Sequence, residues 1–153
     1  MTEGCKSVVF ARFHPSEEVS GFSTFLRDVR VASHIKLVKL MASLRTGARI
    51  EKGKAHFARE CGSYIYVYIM GTLPEYQNRG LGSTLLSHIS TIADSKGLPC
   101  YLESSSEDSR RFYERHGYSV RDTLYIDKGS PPLYLMSRPM KPSVSRETAR
   151  SQT

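Results

Sequence analysis

Cysteine is scarce in these 153 residues and poorly spaced for chemistry. Cys5, Cys61 and Cys100 are an odd three with no short interval between any two, which argues against a disulfide framework and against a zinc site. Reduced, mostly buried thiols are expected, and no metal. No apolar run approaches the ~20 residues that a membrane helix needs. The opening Met-Thr-Glu-Gly-Cys-Lys has neither a secretory apolar core nor a glycine at position two for myristoylation. No membrane is therefore expected as a partner, and the expected location is cytoplasmic, with the nucleus as the alternative. Internal repeats are also absent.

What is present fits one globular domain with a real core: 39% hydrophobic and 24% charged residues. The net charge of +7 suits nucleic acid, anionic lipid or a polyanionic small molecule without choosing among them. Residues 34–60 carry seven Lys/Arg against two Glu. They lack the interleaved aromatics that base stacking wants, so a solvated helix face is expected there, and nucleic acid is not the expected partner. His34 and His56 read as surface residues rather than ligands.

Regular elements can be placed along the chain. Residues 7–13 favour a strand broken at His14-Pro15, and a short helix fits residues 22–29. From His34, apolar residues recur at helical spacing (Ile35, Val38 and Met41; Leu37, Leu40 and Leu44). Gly47 is expected to end or bend that helix, with a second running to about Arg59. Residues 81–96 form an amphipathic helix stopped by Gly97, with Pro99 barring continuation. Residues 100–104 read as a short buried strand and 107–116 as a helix ended by Gly117. Residues 118–126 and 133–138 read as an antiparallel hairpin, and 141–153 as a disordered tail. The fold class is α/β, with a mixed sheet that is parallel where helices cross over and antiparallel at the final hairpin. One domain is expected over residues 1–140.

The chemistry concentrates in residues 64–83, YIYVYIMGTLPEYQNRGLGS. Residues 64–69 are β-branched or aromatic and favour a strand, while Gly71 and Pro74 should end regular pairing. Gln77 to Gly82 then forms a turn that opens directly into the helix. Unpaired amides and the positive end of the helix dipole meet there, which suits an anion. Gly80 and Gly82, lacking Cβ atoms, let a phosphate approach the backbone. Two nucleotide fingerprints fail: no third glycine completes the dinucleotide pattern, and no Gly-Lys-Ser/Thr completes a phosphate loop.

The longer run Pro74-Glu75-Tyr76-Gln77-Asn78-Arg79-Gly80-Leu81-Gly82-Ser83-Thr84-Leu85-Leu86 resembles the acyl-CoA-binding signature of the GNAT superfamily of N-acetyltransferases: Gln/Arg-x-x-Gly-x-Gly/Ala after a strand and a proline. Residues 102–118, LESSSEDSRRFYERHGY, resemble the superfamily's second segment, a strand followed by a helix carrying Tyr-x-x-x-Gly-Phe/Tyr. Together with the hairpin, the resemblance covers residues 63–140. It implies a central sheet whose strands splay apart, flanked by helices, with acetyl-CoA as co-substrate. The reaction it implies is direct attack on the thioester by a primary amine, carried by a small molecule or a peptide.

The resemblance also assigns residues. Backbone groups near an irregularity at Met70, Gly71 and Thr72 would face the pantetheine and the thioester oxygen. Gln77, Asn78, Arg79, Gly80, Leu81, Gly82 and Ser83 would cradle the pyrophosphate. Tyr113 matches the family tyrosine that points toward the CoA sulfur; its other reading is core packing. Glu103 sits where several relatives carry a carboxylate that accepts the amine proton; its other reading is a structural acceptor. Glu75 and Glu107 read as parts of a turn and a helix start. Ser106 stands where many relatives have an asparagine that contacts pantetheine. Family members usually open with a strand, one or two substrate-binding helices and another strand, and only part of that has room here. An N-terminally shortened member is therefore expected. Two readings rival the acetyltransferase: a CoA-binding interaction module without turnover, and a nucleic-acid-binding domain built on residues 34–60.

Overall fold

The computed structural model describes residues 5–15, 37–125 and 129–141, with side chains of the first helix described from Gly47 onward. The helix expected at 22–29, His34 and its apolar neighbour Ile35, the hairpin tip at 126–128 and the tail from 142 lie outside the described residues. Five strands form one mixed sheet: β1 (Ser7–His14), β2 (Tyr64–Thr72), β3 (Cys100–Ser104), β4 (Ser119–Leu124) and β5 (Leu133–Arg138). Among the described residues three helices accompany them: α1 (Leu37–Cys61), α2 (Leu81–Lys96) and α3 (Glu107–Arg115). The strand order is β1-β2-β3-β5-β4, with β2 and β3 parallel and every other neighbouring pair antiparallel. The mixed α/β class and the closing hairpin are thus as the pattern implied.

Because side chains on a strand alternate between faces, the buried strands β2 and β3 feed two separate cores. Ile65, Val67, Cys100 and Leu102 join Met136, Leu86, Ala93 and Tyr118, with Phe112 and Tyr113 packed alongside, on the side covered by α2 and α3. Tyr64, Tyr66 and Tyr101 join Leu124, Leu135 and Phe57 on the side covered by α1. Burial on both faces explains why β2 opens with an unbroken apolar and aromatic run rather than an alternation.

Helix α2 spans the expected residues because its ends are set locally. Gly80 and Gly97 both take the left-handed conformation (φ +79° and +65°), and Gly97 and Leu98 return hydrogen bonds to Asp94 and Ala93. Its far end is tied down by an ion pair: Arg138, 4% exposed, donates to Asp94 Oδ1 at 3.0 Å and to Oδ2 at 2.6 Å. This two-pronged contact holds the helix on β5 and thereby aims its N-terminus.

Four expectations are corrected. Helix α1 runs unbroken through Gly47; an interior glycine costs only about 1 kcal/mol relative to alanine, less than the packing of Ile50 and Phe57 contributes. The solvated basic face is also incomplete, since Lys54 is only 8% exposed. Among the thiols, only Cys100 is buried, whereas Cys5 and Cys61 are exposed. Strand β2 continues through Gly71 to Thr72, because β1 supplies it with an antiparallel partner along that length. No described helix is long and apolar enough to cross a membrane.

Replacing Asp94 with Ala leaves the buried Arg138 guanidinium without its partner, a loss of about 1–3 kcal/mol in unfolding free energy. Arg138 holds the Asp94 carboxyl below the usual aspartate range. The contribution is therefore full above the ordinary aspartate pKa and is lost as pH falls through the lowered native value. Urea denaturation should show the gap between parent and Asp94→Ala at neutral pH, narrowing in acid; a gap constant with pH would contradict the ion-pair account.

Candidate functional site

The opening between β2 and β3 is the feature around which the candidate site forms. These strands pair only at Ile65↔Cys100 and Tyr66↔Tyr101. Beyond those two positions each keeps its outer neighbour instead: β2 stays on β1 as far as Ser7↔Thr72, and β3 stays on β5 as far as Ser104↔Tyr134. The two central strands therefore diverge, leaving backbone groups on their inner edges.

A bulge decides which groups those are. Phe10 pairs with Ile69 and Ala11 with Val67, so Tyr68 is an extra residue on β2. The irregularity expected at Met70–Thr72 lies two residues earlier, and 70–72 are regularly paired. Below the bulge the Ile65 amide faces the β3 side, donating to Pro99 O at 2.9 Å. Above it the Leu73 amide faces β1, donating to Lys6 O at 3.0 Å. Antiparallel positions alternate, so Met70 and Thr72 turn their backbone groups into the opening. Gly71 turns toward β1, where its carbonyl accepts from Ser7 Oγ at 3.0 Å.

At the mouth of the opening the chain makes a single 3-10 turn (Pro74–Tyr76) and enters α2. Asn78 and Gly80 both have positive φ (58° and 79°). The first helical hydrogen bond is Thr84 N–H to Gly80 O at 2.9 Å, so the amides of Leu81, Gly82 and Ser83 have no acceptor within the helix. No side chain among the described residues caps this end, and no acidic residue sits in its first turn. Arg79 and Lys6 both lie 5.2 Å from the centre of the Tyr76 ring, adding positive charge beside the turn. An anion such as a pyrophosphate fits this end. Gln77 serves the geometry of the turn: its Nε2 donates to Thr72 O at 3.2 Å, tying the turn to the end of β2.

The start of α3 differs. Ser106, expected near the pantetheine, is its N-cap: Ser106 Oγ accepts from the Ser109 amide at 3.1 Å and donates to Ser109 Oγ at 2.8 Å. Glu107 is also committed, accepting from Tyr134 at 2.8 Å and bonding Arg110 and Arg111. Arg110, and then Tyr134, hold its carboxyl down to about 2, so it stays ionised and serves as a clamp. Glu75 is exposed in the turn.

Tyr113 and Glu103 lie on opposite faces of the sheet. Tyr113 packs on the α2–α3 side, its ring 5.4 Å from Phe112 and 5.8 Å from Tyr118, and burial raises its phenol. Glu103 shares the parity of Tyr101 and faces the α1 side. There its Oε2 accepts from the Tyr66 hydroxyl at 2.7 Å, while Oε1 is buried with no hydrogen-bond partner among the described residues. Burial raises the Glu103 carboxyl, opposed by the Tyr66 hydrogen bond and by the Lys54 ammonium. Tyr66 and Lys54 were not singled out from the sequence; the residues that meet here come from three elements. A cavity of about 470 Å³, lined by residues such as Ser87, Asp94, His116 and Arg138, opens between the C-terminal ends of α2 and α3. It lies at the other end from the uncapped amides and is no part of this site.

Comparison with known proteins fits this geometry. Residues 40–120, just over half of the chain, match the Acetyltransferase (GNAT) domain family, and the chain belongs to that family. It is 34% identical over 95 residues to an uncharacterized N-acetyltransferase of Schizosaccharomyces pombe, a match covering 60% of this chain and 38% of that protein. The chain thus spans about two fifths of that relative's length. Among solved structures it is similar to Arabidopsis thaliana Naa50 in complex with the bisubstrate analogue CoA-Ac-MVNAL: 28% identity, 51% of this chain, 56% of that chain, TM-score 0.45. It is also similar to a histone acetyltransferase HPA2 and related acetyltransferase from Corynebacterium glutamicum: 28% identity, 54% of this chain, 45% of that chain, TM-score 0.46.

The two glycines of the turn should respond differently to substitution. A Cβ at Gly80 meets nothing within 4 Å but forces a side chain into positive φ, whereas a Cβ at Gly82 makes ordinary contact with Phe112 at 3.5 Å. Gly80→Val should therefore reshape the turn and weaken CoA binding at least tenfold, about 1.4 kcal/mol. Gly82→Ala should keep the fold and lose affinity only where its methyl meets the phosphate. Calorimetry with CoA checks both; unchanged affinity in Gly80→Val would remove the turn from the binding site.

Proposed function

We propose that this member of the GNAT family transfers an acetyl group from acetyl-CoA to a primary amine, and that residues 1–140 act as one acyl-CoA-binding domain. The observation that carries the proposal is the opening between β2 and β3, with uncapped helix amides at its mouth and Glu103 Oε1 without a hydrogen-bond partner among the described residues. Membership of the family and the 34% identity to an N-acetyltransferase support the reaction class. In this reading the amides of Leu81, Gly82 and Ser83, with the turn at Gln77–Gly80, hold the pyrophosphate. Ser106 contributes through the helix start that it caps.

Acetyl-CoA, when bound, supplies a thioester with a thiol leaving group. The protein's tasks are to orient it, accept one proton and return one. The Met70 and Thr72 backbone groups, turned into the opening, suit the thioester oxygen and the pantetheine. Glu103 takes the proton that the acceptor's ammonium must lose before its nitrogen can attack. Tyr113, on the other face, holds a proton for the departing thiolate. Burial helps it to do so, because a phenol with a raised pKa stays protonated at neutral pH. The nitrogen loses a second proton as the amide forms; that proton and the one left on Glu103 pass to solvent while Tyr113 regains one, so one proton is released per turnover. The positions of Glu103 and Tyr113 suit an acceptor arriving from the α1 side and a co-substrate from the α2–α3 side. A small amine or a peptide amine satisfies this chemistry.

Glu103 works only when ionised, and its carboxyl is raised, so activity should fall in acid at a pH above the usual glutamate value of ~4.3. Glu103→Gln should lower kcat/KM by ~10²–10⁴, most between that limb and the amine's own pKa, where the acceptor arrives protonated. Tyr113→Phe should lower kcat with little change in KM for acetyl-CoA, because its proton is delivered only as the C–S bond breaks. Thiol release measured against pH with small amines, amino acids and peptides checks both variants. CoA binding without thiol release from any of them would instead identify an interaction module.

A further inference from the structure

We propose that Tyr66 and Lys54 are positioning residues: the Tyr66 hydroxyl engages Oε2 of Glu103, the Lys54 ammonium braces the Tyr66 ring, and Oε1 is left to take the acceptor's proton. The inference rests on the reading of Glu103 as the base. A buried carboxylate with a purely structural role would have both oxygens satisfied. Here one is held at 2.7 Å by the Tyr66 hydroxyl and the other has no partner among the described residues.

The Tyr66 ring is itself braced. The Lys54 ammonium lies 4.4 Å above its centre and the Arg12 guanidinium 5.4 Å from it. Lys54 Nζ in turn meets Glu51 Oε1 at 2.8 Å. A lysine with only 8% of its surface exposed is unusual unless its charge is used, and the backbone explains how it gets there. A Cβ at Gly53 would come within 2.6 Å of Leu135 Cδ1 and 3.2 Å of the Tyr101 hydroxyl. Glycine lets α1 approach the sheet this closely without displacing Leu135, and the next residue then lies over Tyr66.

The electrostatics have a definite sign. Burial favours the protonated acid, whereas the Tyr66 hydrogen bond and the Lys54 charge favour the carboxylate, with Glu51 opposing them from the same helix. Arg12 of β1 acts across the Tyr66 ring, Tyr64 and Tyr101 contribute neutral phenols, β5 presents Leu135 at the paired position, and Arg121 and Asp122 of β4 act on Tyr101. Removing either the Tyr66 hydroxyl or the Lys54 charge should raise the carboxyl further and move the useful pH range of a base upward.

The test follows the Glu103 side-chain carboxyl by carbon-13 NMR through a pH titration of the full chain, in the parent, Tyr66→Phe and Lys54→Met. Upward movement of the midpoint by at least about half a pH unit in each variant is expected; an unmoved midpoint in either overturns the proposal, and this readout needs no turnover. The acidic limb of kcat/KM should move with the midpoint while KM for acetyl-CoA stays put, and Lys54→Arg should restore it toward the parent. A uniform loss of rate with the limb in place would make the pair merely structural and sink the inference alone. If Glu103→Gln retains the parental limb, the base reading fails, and the positioning proposal fails with it.

Discussion

Two parallel strands at the centre of a sheet must either stay bonded to each other or leave backbone groups without partners. Here β2 and β3 do both: they pair over two positions and then separate, each retaining its outer antiparallel neighbour. The candidate site depends on that constraint. The separation makes an opening within a layer that would otherwise be closed, and the Tyr68 bulge selects Met70 and Thr72 as the residues whose backbone groups face it. The helices then furnish the rim. Because α2 follows β2 directly, its N-terminus arrives at the mouth of the opening.

The two helix starts at that end show how small sequence differences sort function from structure. Both α2 and α3 follow a strand of the sheet, and both have free amides in the first turn. Helix α3 satisfies its own with Ser106 and places Glu107 and Asp108 there, neutralising the positive end. Helix α2 has glycine at the same position and no acid in its first turn. Its end stays electropositive and sterically open, which suits a ligand that brings its own negative charge.

Glu103 illustrates the opposite strategy, in which a charged group is drawn into the protein and only partly compensated. Burial alone would protonate it. One phenol hydrogen bond and one nearby ammonium counter that burial, and the result is a carboxyl displaced upward from its ordinary range. Such a group is poorly suited to stabilising a fold and well suited to exchanging a proton. Its companions come from β2 and α1, so the cluster links the central sheet to the basic helix that precedes β2.

Local chemistry in the sequence determined the elements and the glycine-bearing turn that opens α2. Apolar periodicity and glycine punctuation place α2 between Gly80 and Gly97, and the short β3 and β5 are legible in the same way, because those signals act within a turn or two of chain. The same signals misled at Gly47 and Gly71, where a long helix and an antiparallel neighbour carried regular structure past a residue that usually interrupts it. Only the tertiary structure decided the rest. The Tyr68 bulge is a matter of register with β1, more than fifty residues away in sequence. The Tyr66–Glu103 hydrogen bond joins residues 37 apart, through strands whose pairing no local pattern specifies. Lys54 reads as solvated by composition and is buried because Gly53 lets α1 dock closely. Which face a side chain takes follows from its own strand; which group it meets there depends on how distant segments pack.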